Sequence, residues 1–203
     1  MSGLRARQKV ERRQRLLLAA ATHFRASGYE GTRIEEIAAT AELSAGTVYN
    51  YYRHKGELLI AVVSMQLEEV LEEGERLVAE PPATAEAAIN ALVEVGLDRA
   101  LGYLSKDNWR HALASATAQP ETDLARRYAD LEARLADQVR RLLDGLQQQG
   151  AIRDDLDTIA FGALISNNAS RLFHAYVREE GRALEELKAG LRAQHAALCR
   201  RIA

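Results

Sequence analysis

Residues 44–55 place hydroxyl, phenol, amide and amine groups at helical spacing within one short stretch. Side chains of these types donate hydrogen bonds to phosphate oxygens and to base edges in nucleic acids. Small residues among them would let the start of a helix approach a groove closely. The candidates for contact with nucleic acid in this stretch are Ser44, Ala45, Gly46, Thr47, Tyr49, Asn50, Tyr51 and Lys55.

Two short helices are needed to present these groups. Thr32 followed by Glu35 has the pattern of a capping box, which predicts a helix that begins at Arg33. The apolar residues that fall on one face of this helix are Ile34, Ile37, Ala38 and Ala41. Ser44 is suited to cap the second helix. A helix-turn-helix of this kind places its second helix in the DNA major groove.

Inward-facing residues of the second helix are expected to be Val48 and Tyr52, which are four residues apart. Tyr49 and Tyr51 then face outward, and contact with phosphates or bases would explain exposed tyrosines. The alternative is an ordinary helical hairpin whose tyrosines are half-buried. Because the tyrosines lie between basic residues, we favour nucleic-acid binding.

Charge is divided unevenly along the chain, although its formal net charge is only −2. Residues 1–56 contain ten lysines and arginines, Arg5 included, against five acids, which is a net charge of +5. The remainder has 17 bases and 24 acids, a net charge of −7. A basic segment beside an acidic one fits a phosphate-binding domain joined to a body that does not touch nucleic acid.

One set of residues between Arg12 and Leu59 matches a known family. The set consists of Ala19-Ala20, Phe24, Gly28-Tyr29, Thr32, Ile37-Ala38, Ala41, Leu43-Ser44, Gly46-Thr47-Val48-Tyr49, Tyr51-Tyr52, Lys55 and Glu57-Leu58. It resembles the DNA-binding domain of the tetracycline-repressor (TetR/AcrR) family of bacterial transcription regulators. The resemblance covers roughly the first quarter of the chain. The rest is similar in length and helical character only.

The resemblance implies roles for individual residues. Thr32 and Arg33 would contact a phosphate or a nearby base edge, and Tyr49, Tyr51 and Lys55 would bind phosphates. The residues implied to face the groove or its base edges are Ser44, Ala45, Gly46, Thr47 and Asn50. An asparagine suits bidentate pairing with adenine.

Two positions depart from the family pattern. Glu42 stands where the turn usually has glycine, and a left-handed backbone there would cost roughly 1 kcal/mol for a non-glycine residue. His54 stands where a better helix cap is usual. Neither departure removes a group that would contact DNA.

The whole chain is predicted to be all-α. Further helices are expected near residues 55–80, 84–103, 107–118, 121–149, 155–179 and 183–202, after a first helix near 5–27. We divide the chain into a three-helix DNA-binding domain (1–54) and a helical ligand-binding and dimerisation bundle (55–203). The fourth helix would join the two, so that a shift in it could reach the recognition helix.

Enzyme chemistry is not expected, because no nucleophile elbow, phosphate loop, zinc-protease motif or paired-cysteine motif occurs. The five histidines are scattered, so neither a metal nor a cofactor is predicted. The sequence has no apolar run of membrane-spanning length and no visible signal peptide. With its single cysteine, Cys199, these features favour a cytoplasmic location.

The body offers candidates for a small-molecule site, which would be mostly apolar with a few polar groups. These candidates are Tyr103, Trp109, His111, Tyr128, Asn167, Asn168, Arg171 and His174. Arg171 could pair with an anion. The alternative is that the aromatic residues form core and the polar residues of helix 155–179 face a partner subunit.

Dimerisation is expected, because two-fold dimers read palindromic half-sites about 34 Å apart. The resemblance implies an interface made by helices near 155–179 and 183–202. The last helix carries an apolar stripe of Leu184, Leu187, Leu191, Leu198 and Ile202. A similar stripe on helix 121–149 is interpreted as bundle core.

These features together predict a homodimeric repressor of the TetR type that an unidentified small molecule releases from double-stranded DNA. Two alternatives belong to other classes. One is an architectural or cell-cycle DNA-binding factor without an effector, and the other is an all-helical enzyme with an incidental hairpin.

Overall fold

The structure is a computed structural model that describes the backbone of residues 2–202 and the side chains of residues 6–202. The Arg5 side chain therefore lies outside the described residues. In the described part of the chain all regular elements are helices: α1 (Ser2–Gly31), α2 (Ile34–Thr40), α3 (Ala45–Tyr51), α4 (Lys55–Ala79), α5 (Ala85–Tyr103), α6 (Lys106–Ala118), α7 (Asp123–Gln148), α8 (Thr158–Arg178) and α9 (Leu184–Ile202). The all-α prediction is confirmed, and most of the expected helix boundaries differ from these by three residues or fewer.

The helix α1 is interrupted at Gly28, whose φ of 68° is left-handed. Glycine adopts this conformation without the steric cost that a Cβ atom brings. The chain turns there and then enters α2. The helical part of α1 therefore ends next to residue 27, where the sequence predicted its end.

The chain divides into two compact units. We call residues Met1–Gln66 with Leu101–Tyr128 the head unit, and residues Leu67–Ala100 with Ala129–Ala203 the body unit. The head unit contains α6 in addition to the helices of the predicted DNA-binding domain. These units are defined by how compactly the chain packs. The division between residues 54 and 55 separates predicted functions instead, and it stays a prediction.

Contacts from α6 to the C-terminal part of α1 hold the head unit together. The buried Asn108 donates its amide to the carbonyl of Phe24 at 2.8 Å. Just before α6, the carbonyl of Gly102 at the end of α5 accepts a hydrogen bond from Arg25 at 2.6 Å. A stacked pair joins the rings of Tyr29 and His111, with centroids 4.3 Å apart. These long-range contacts explain why α6 packs with helices that lie far from it in sequence.

The body unit has its own apolar core, to which α5, α7, α8 and α9 contribute. Its almost fully buried side chains include Ala88, Ile89, Leu142, Leu143, Leu146, Ile165 and Ile202. Leu142 and Leu146 belong to the α7 stripe, whose interpretation as core is confirmed. The α9 stripe also packs inside the subunit, because Leu187 and Leu191 are 0% and 2% exposed. These two leucines are therefore covered within the subunit, and a dimer interface made by helices near 155–179 and 183–202 stays a prediction.

Polar contacts cross between α5 and α9 at three successive levels. The imidazole Nδ1 of His195 lies 2.7 Å from the Asn90 side-chain oxygen. Arg192 donates to Glu94 at 2.6 Å. The buried Lys188 lies 2.5 Å from Asp98 and 3.4 Å from Glu185. The buried Lys188 ammonium and His195 Nδ1 thus have partners on α5, whereas the buried Nε2 of His195 has no hydrogen-bond partner among the described residues.

No helix in residues 2–202 has both the length and the apolar character that crossing a membrane needs. Cys199 is buried, and burial raises the pKa of its thiol.

Candidate nucleic-acid interface

The recognition helix α3 begins with a side-chain cap. The Ser44 hydroxyl accepts a hydrogen bond from the Thr47 backbone N–H at 3.1 Å and lies 2.8 Å from the Thr47 hydroxyl. The cap predicted for Ser44 is confirmed. Val48 and Tyr52 are 0% and 4% exposed, so the inward face was also predicted correctly.

The opposite face of α3 is open to solvent. Gly46, Tyr49 and Asn50 are exposed, and the Tyr49 ring is 49% accessible. The half-buried members of the predicted set are Ala45, Thr47 and Tyr51. The alternative interpretation, an ordinary hairpin whose tyrosines are half-buried, therefore fits Tyr51 but does not fit Tyr49. A rigid helix with small residues first and hydrogen-bonding groups after them can enter a groove.

The start of α2 differs from the prediction. Arg33 is the N-terminal cap and makes no side-chain cap hydrogen bond. The Thr32 hydroxyl instead donates to the carbonyls of Gly28 and His23, at 2.6 and 3.1 Å. The predicted capping box is wrong, because Thr32 is 2% exposed and its hydroxyl satisfies carbonyls at the end of α1. Contacts of Thr32 and of the exposed Arg33 with DNA stay predictions.

Lys55 opens α4 and crosses to the turn between α1 and α2. Its ammonium donates to the carbonyls of Thr32 and Glu30 at 3.0 and 3.2 Å. It also lies 4.6 Å from the centre of the Tyr29 ring. An ammonium has three N–H donors, so these contacts fix its position and leave one donor beyond the two carbonyls. The sequence suggested only the phosphate role and gave no sign of this internal one.

His54 does cap α4, contrary to the view that it is a poor cap. Its Nδ1 accepts from the Glu57 backbone N–H at 3.2 Å. The buried Glu57 carboxylate in turn accepts from the Arg53 backbone N–H at 2.7 Å. Two backbone donors at the start of α4 are thereby satisfied, which is what a capping box achieves.

The turn before α3 contains the strain that the sequence suggested. Glu42 has a φ of 57°, the left-handed conformation that favours glycine. Its carboxylate lies 2.8 Å from the guanidinium of Arg15 on α1. The ion pair offsets a negative charge two residues before the Ser44 cap.

The candidate ligand residues fall in both units. Tyr103, His111 and Tyr128 are half-buried in the head unit, and Trp109 is 2% exposed there. The His111 ring stacks on the Tyr29 ring. The sequence did not predict this pair, because the two residues are far apart along the chain. The α8 candidates lie in the body unit, where Asn167 and Arg171 are exposed and Asn168 and His174 are half-buried. Among the described residues, no group of three or more His, Cys, Asp or Glu side chains could hold a metal ion.

One family model matches the part of the chain that contains α2 and α3. Residues 16–62 match the family model described as bacterial regulatory proteins, tetR family. No curated protein sequence matches the chain.

Solved structures share the fold over almost the whole chain. A Mesorhizobium loti protein assigned to the TetR family of transcriptional regulators is 22% identical, with a TM-score of 0.71 over 95% of this chain and 97% of the other. The TetR-family repressor FadR of Thermus thermophilus, in complex with lauroyl-CoA, is 26% identical, with a TM-score of 0.62 over 91% and 93%. FadR of Bacillus subtilis, in complex with stearoyl-CoA, is 20% identical, with a TM-score of 0.64 over 90% and 96%.

Regulators of this family act by binding DNA and are not enzymes. The matched residues include α2, α3 and the start of α4, which hold the capped helix and its exposed donors. Residues 16–62 therefore match the DNA-binding segment of the tetR family of bacterial regulatory proteins, and the chain shares its fold with solved regulators of that family.

Proposed function

We propose that this regulator is a homodimeric repressor that binds a palindromic operator and is released by a small molecule. The observation that carries the proposal is the outer face of α3. Val48 and Tyr52 fix the inner face in the core, while Tyr49 and Asn50 remain exposed as hydrogen-bonding groups. An open polar face on a rigid helix suits direct readout of base edges.

A second copy of the chain is proposed to cover the outer face of α8. Ile159 and Leu164 on this helix are 69% and 59% exposed, although apolar side chains of this size are usually buried. Asn167 and Arg171 continue the same face one and two turns later, and both are exposed. Their position favours subunit contact over a pocket within the subunit. A two-fold interface would pair this face with itself.

The effector is proposed to bind in the body. Asn168 and His174 are its remaining half-buried candidates on α8, and burial together with Arg178 lowers the pKa of His174. A neutral imidazole there can both donate and accept a hydrogen bond. The continuous helix α4 starts at Lys55, so a change that displaces α4 also displaces this predicted phosphate contact. The effector must bind the released state more tightly than the DNA-bound state.

Sequencing of genomic fragments retained by the purified protein tests operator binding. We expect enrichment of a palindrome at near-physiological salt, with half-sites about one helical turn apart. Retention without any enriched sequence would contradict a specific operator.

Titration of the protein–operator complex with lauroyl-CoA and stearoyl-CoA tests release, because two structures of similar fold hold these compounds. Release by either one would place this regulator with the ligand-responsive repressors. An operator complex that persists with these probes and with a broad metabolite panel would favour the factor without an effector.

A further inference from the structure

One face of α1 is buried in the head unit from Leu16 onward, and the same face extends toward the N-terminus over residues that are not buried. Leu16, Ala20 and Phe24 on this face are all 0% exposed. Because an α-helix repeats every 3.6 residues, the same face continues toward the N-terminus through Arg13 and Lys9, with Arg12 at its edge. Residues 6–15 precede the segment that matches the family model, which begins at residue 16. We call Lys9, Arg12 and Arg13 the basic strip.

The basic strip begins beside the helix-turn-helix. Arg13 donates to the Tyr52 hydroxyl at 3.2 Å, at the end of α3. Arg15, the next base along α1, pairs with Glu42 in the turn before α3. The strip is thus anchored to both ends of the recognition helix through neighbouring arginines. Lys9 and Arg12 lie further out and are exposed.

The opposite face of this segment is electrically neutral. Arg7 lies 3.1 Å from Glu11, and both side chains are exposed. Glu11 is the one acid in residues 6–15, and it is on the Arg7 face. Positive charge is therefore concentrated on the side of α1 that continues the buried face.

From these observations we infer that the basic strip is a second DNA-contacting surface, which binds backbone phosphates of the duplex held by α3. The inference rests on the proposed DNA-binding function and adds residues outside the helix-turn-helix to it. A duplex carries one negative charge per about 1.7 Å of axis, and the strip from Lys9 to Arg13 is about 6 Å long, so several phosphates lie within its reach. Contacts of this type increase affinity for all sequences and position the protein without reading bases.

The test compares two charge-removing variants of the full chain. Lys9→Gln/Arg12→Gln removes two bases from the strip, and Arg7→Gln removes one base from the opposite face. Gln has nearly the helix propensity of Lys and Arg, so α1 stays helical in both. Affinity is measured by fluorescence anisotropy on the selected operator and on a random-sequence duplex, at several salt concentrations.

The strip variant should lower the slope of log affinity against log salt by about 0.9 per lost contact, or about 1.8 per subunit. Its affinity deficit should then shrink by about tenfold per subunit between about 50 and 200 mM salt. The ratio of operator to random-sequence affinity should not change. Arg7→Gln should leave the slope close to that of the wild type, and Lys9→Arg/Arg12→Lys should restore it.

An unchanged slope in the strip variant would overturn the inference, as would an equal loss in Arg7→Gln. Loss of binding to phosphatidylglycerol vesicles with an unchanged DNA slope would reassign the strip to a membrane surface. The absence of a specific operator would be a separate result. The salt slope can be measured on the random-sequence duplex whether or not the wild type prefers any sequence.

Discussion

The outer faces of α3 and α8 are both open to solvent, but their chemistry differs. On α3 the exposed residues are a glycine and the polar Tyr49 and Asn50. On α8 they include Ile159 and Leu164, which are large and apolar. Exposure alone therefore says little about function. A polar face on a short, capped helix suits groove recognition, whereas an apolar face on a long helix suits contact with a second subunit.

The largest expected effect comes from placing a charge on the apolar face of α8. Leu164→Glu should convert the dimer to a monomer, because burying an unpaired carboxylate in an interface is costly. Operator affinity should fall by about 10³-fold or more, toward non-specific binding. Light scattering after size-exclusion chromatography gives the mass, and anisotropy gives the affinity.

Asn167→Asp also places a charge on this face of α8. Its effect on dimerisation should be smaller than that of Leu164→Glu. A Leu164→Glu protein that stays dimeric would contradict the proposed interface. Because Leu164 is exposed in the subunit, the melting temperature of the monomer should show that the fold survives.

The inner and outer faces of the helix-turn-helix should separate stability from DNA binding. Ile37→Ala, at a fully buried residue of α2, should cost about 2–5 kcal/mol of unfolding free energy. Tyr49→Phe, on the exposed face of α3, should change stability by less than about 0.5 kcal/mol but weaken DNA binding. Urea unfolding and anisotropy measure the two effects. A large stability loss in Tyr49→Phe would mean that its hydroxyl has a structural role.

Lys55→Ala should weaken binding to all DNA sequences and lower the salt slope by about 0.9 per subunit. Lys55→Arg retains the charge and should keep most of the slope. Asn50→Ala should change sequence preference instead. A slope unaffected by Lys55→Ala would restrict Lys55 to its bonds with the Thr32 and Glu30 carbonyls.

The body unit should respond to pH through His195. Burial lowers the pKa of this imidazole, against a smaller opposing effect of Glu94 and Glu86. A histidine in the unfolded chain titrates near about 6.5. The unfolded state therefore binds a proton first as pH falls, so the stability present above about pH 6.5 is lost toward the lower folded pKa.

Urea midpoints at about pH 7.5 and 5.5 test this. The wild type should lose stability between them, and His195→Gln should lose less. His174→Gln is the matched comparison, since the pKa of His174 is also lowered but its side chain is less buried. Equal pH dependence in the wild type and His195→Gln would show that other groups control it.

The smallest effect is expected at the turn before α3. Glu42→Gly removes a left-handed strain of roughly 1 kcal/mol and an exposed ion pair worth about 0.2–1 kcal/mol. The two terms nearly cancel, so stability should rise by less than about 1 kcal/mol. DNA binding should tighten slightly, because a negative charge leaves the neighbourhood of the duplex. Destabilisation would show that the contact between Arg15 and Glu42 is stronger than exposure suggests.

Sequence patterns predicted those parts of the site that depend on local order. The Ser44 cap and the buried Val48 follow from residue types within one or two helical turns, whereas the left-handed backbone at Glu42 was suggested only by the glycine that the similar family has there. Thr32 shows the limit of such patterns. Its spacing to Glu35 fits a capping box, but carbonyls at the end of α1 compete for the same hydroxyl. That competition depends on how α1 packs against α2, which spacing does not contain.

The sequence by itself determined an all-helical chain with a helix-turn-helix near its start, because helical periodicity and caps are local properties of the chain. Only the tertiary structure decided which apolar helix faces are buried within the subunit and which stay exposed. It buried the leucines of α9, left Ile159 and Leu164 of α8 exposed, and brought Tyr29, Lys55 and His111 together. These outcomes depend on contacts between residues far apart in sequence, which are fixed only when helices pack.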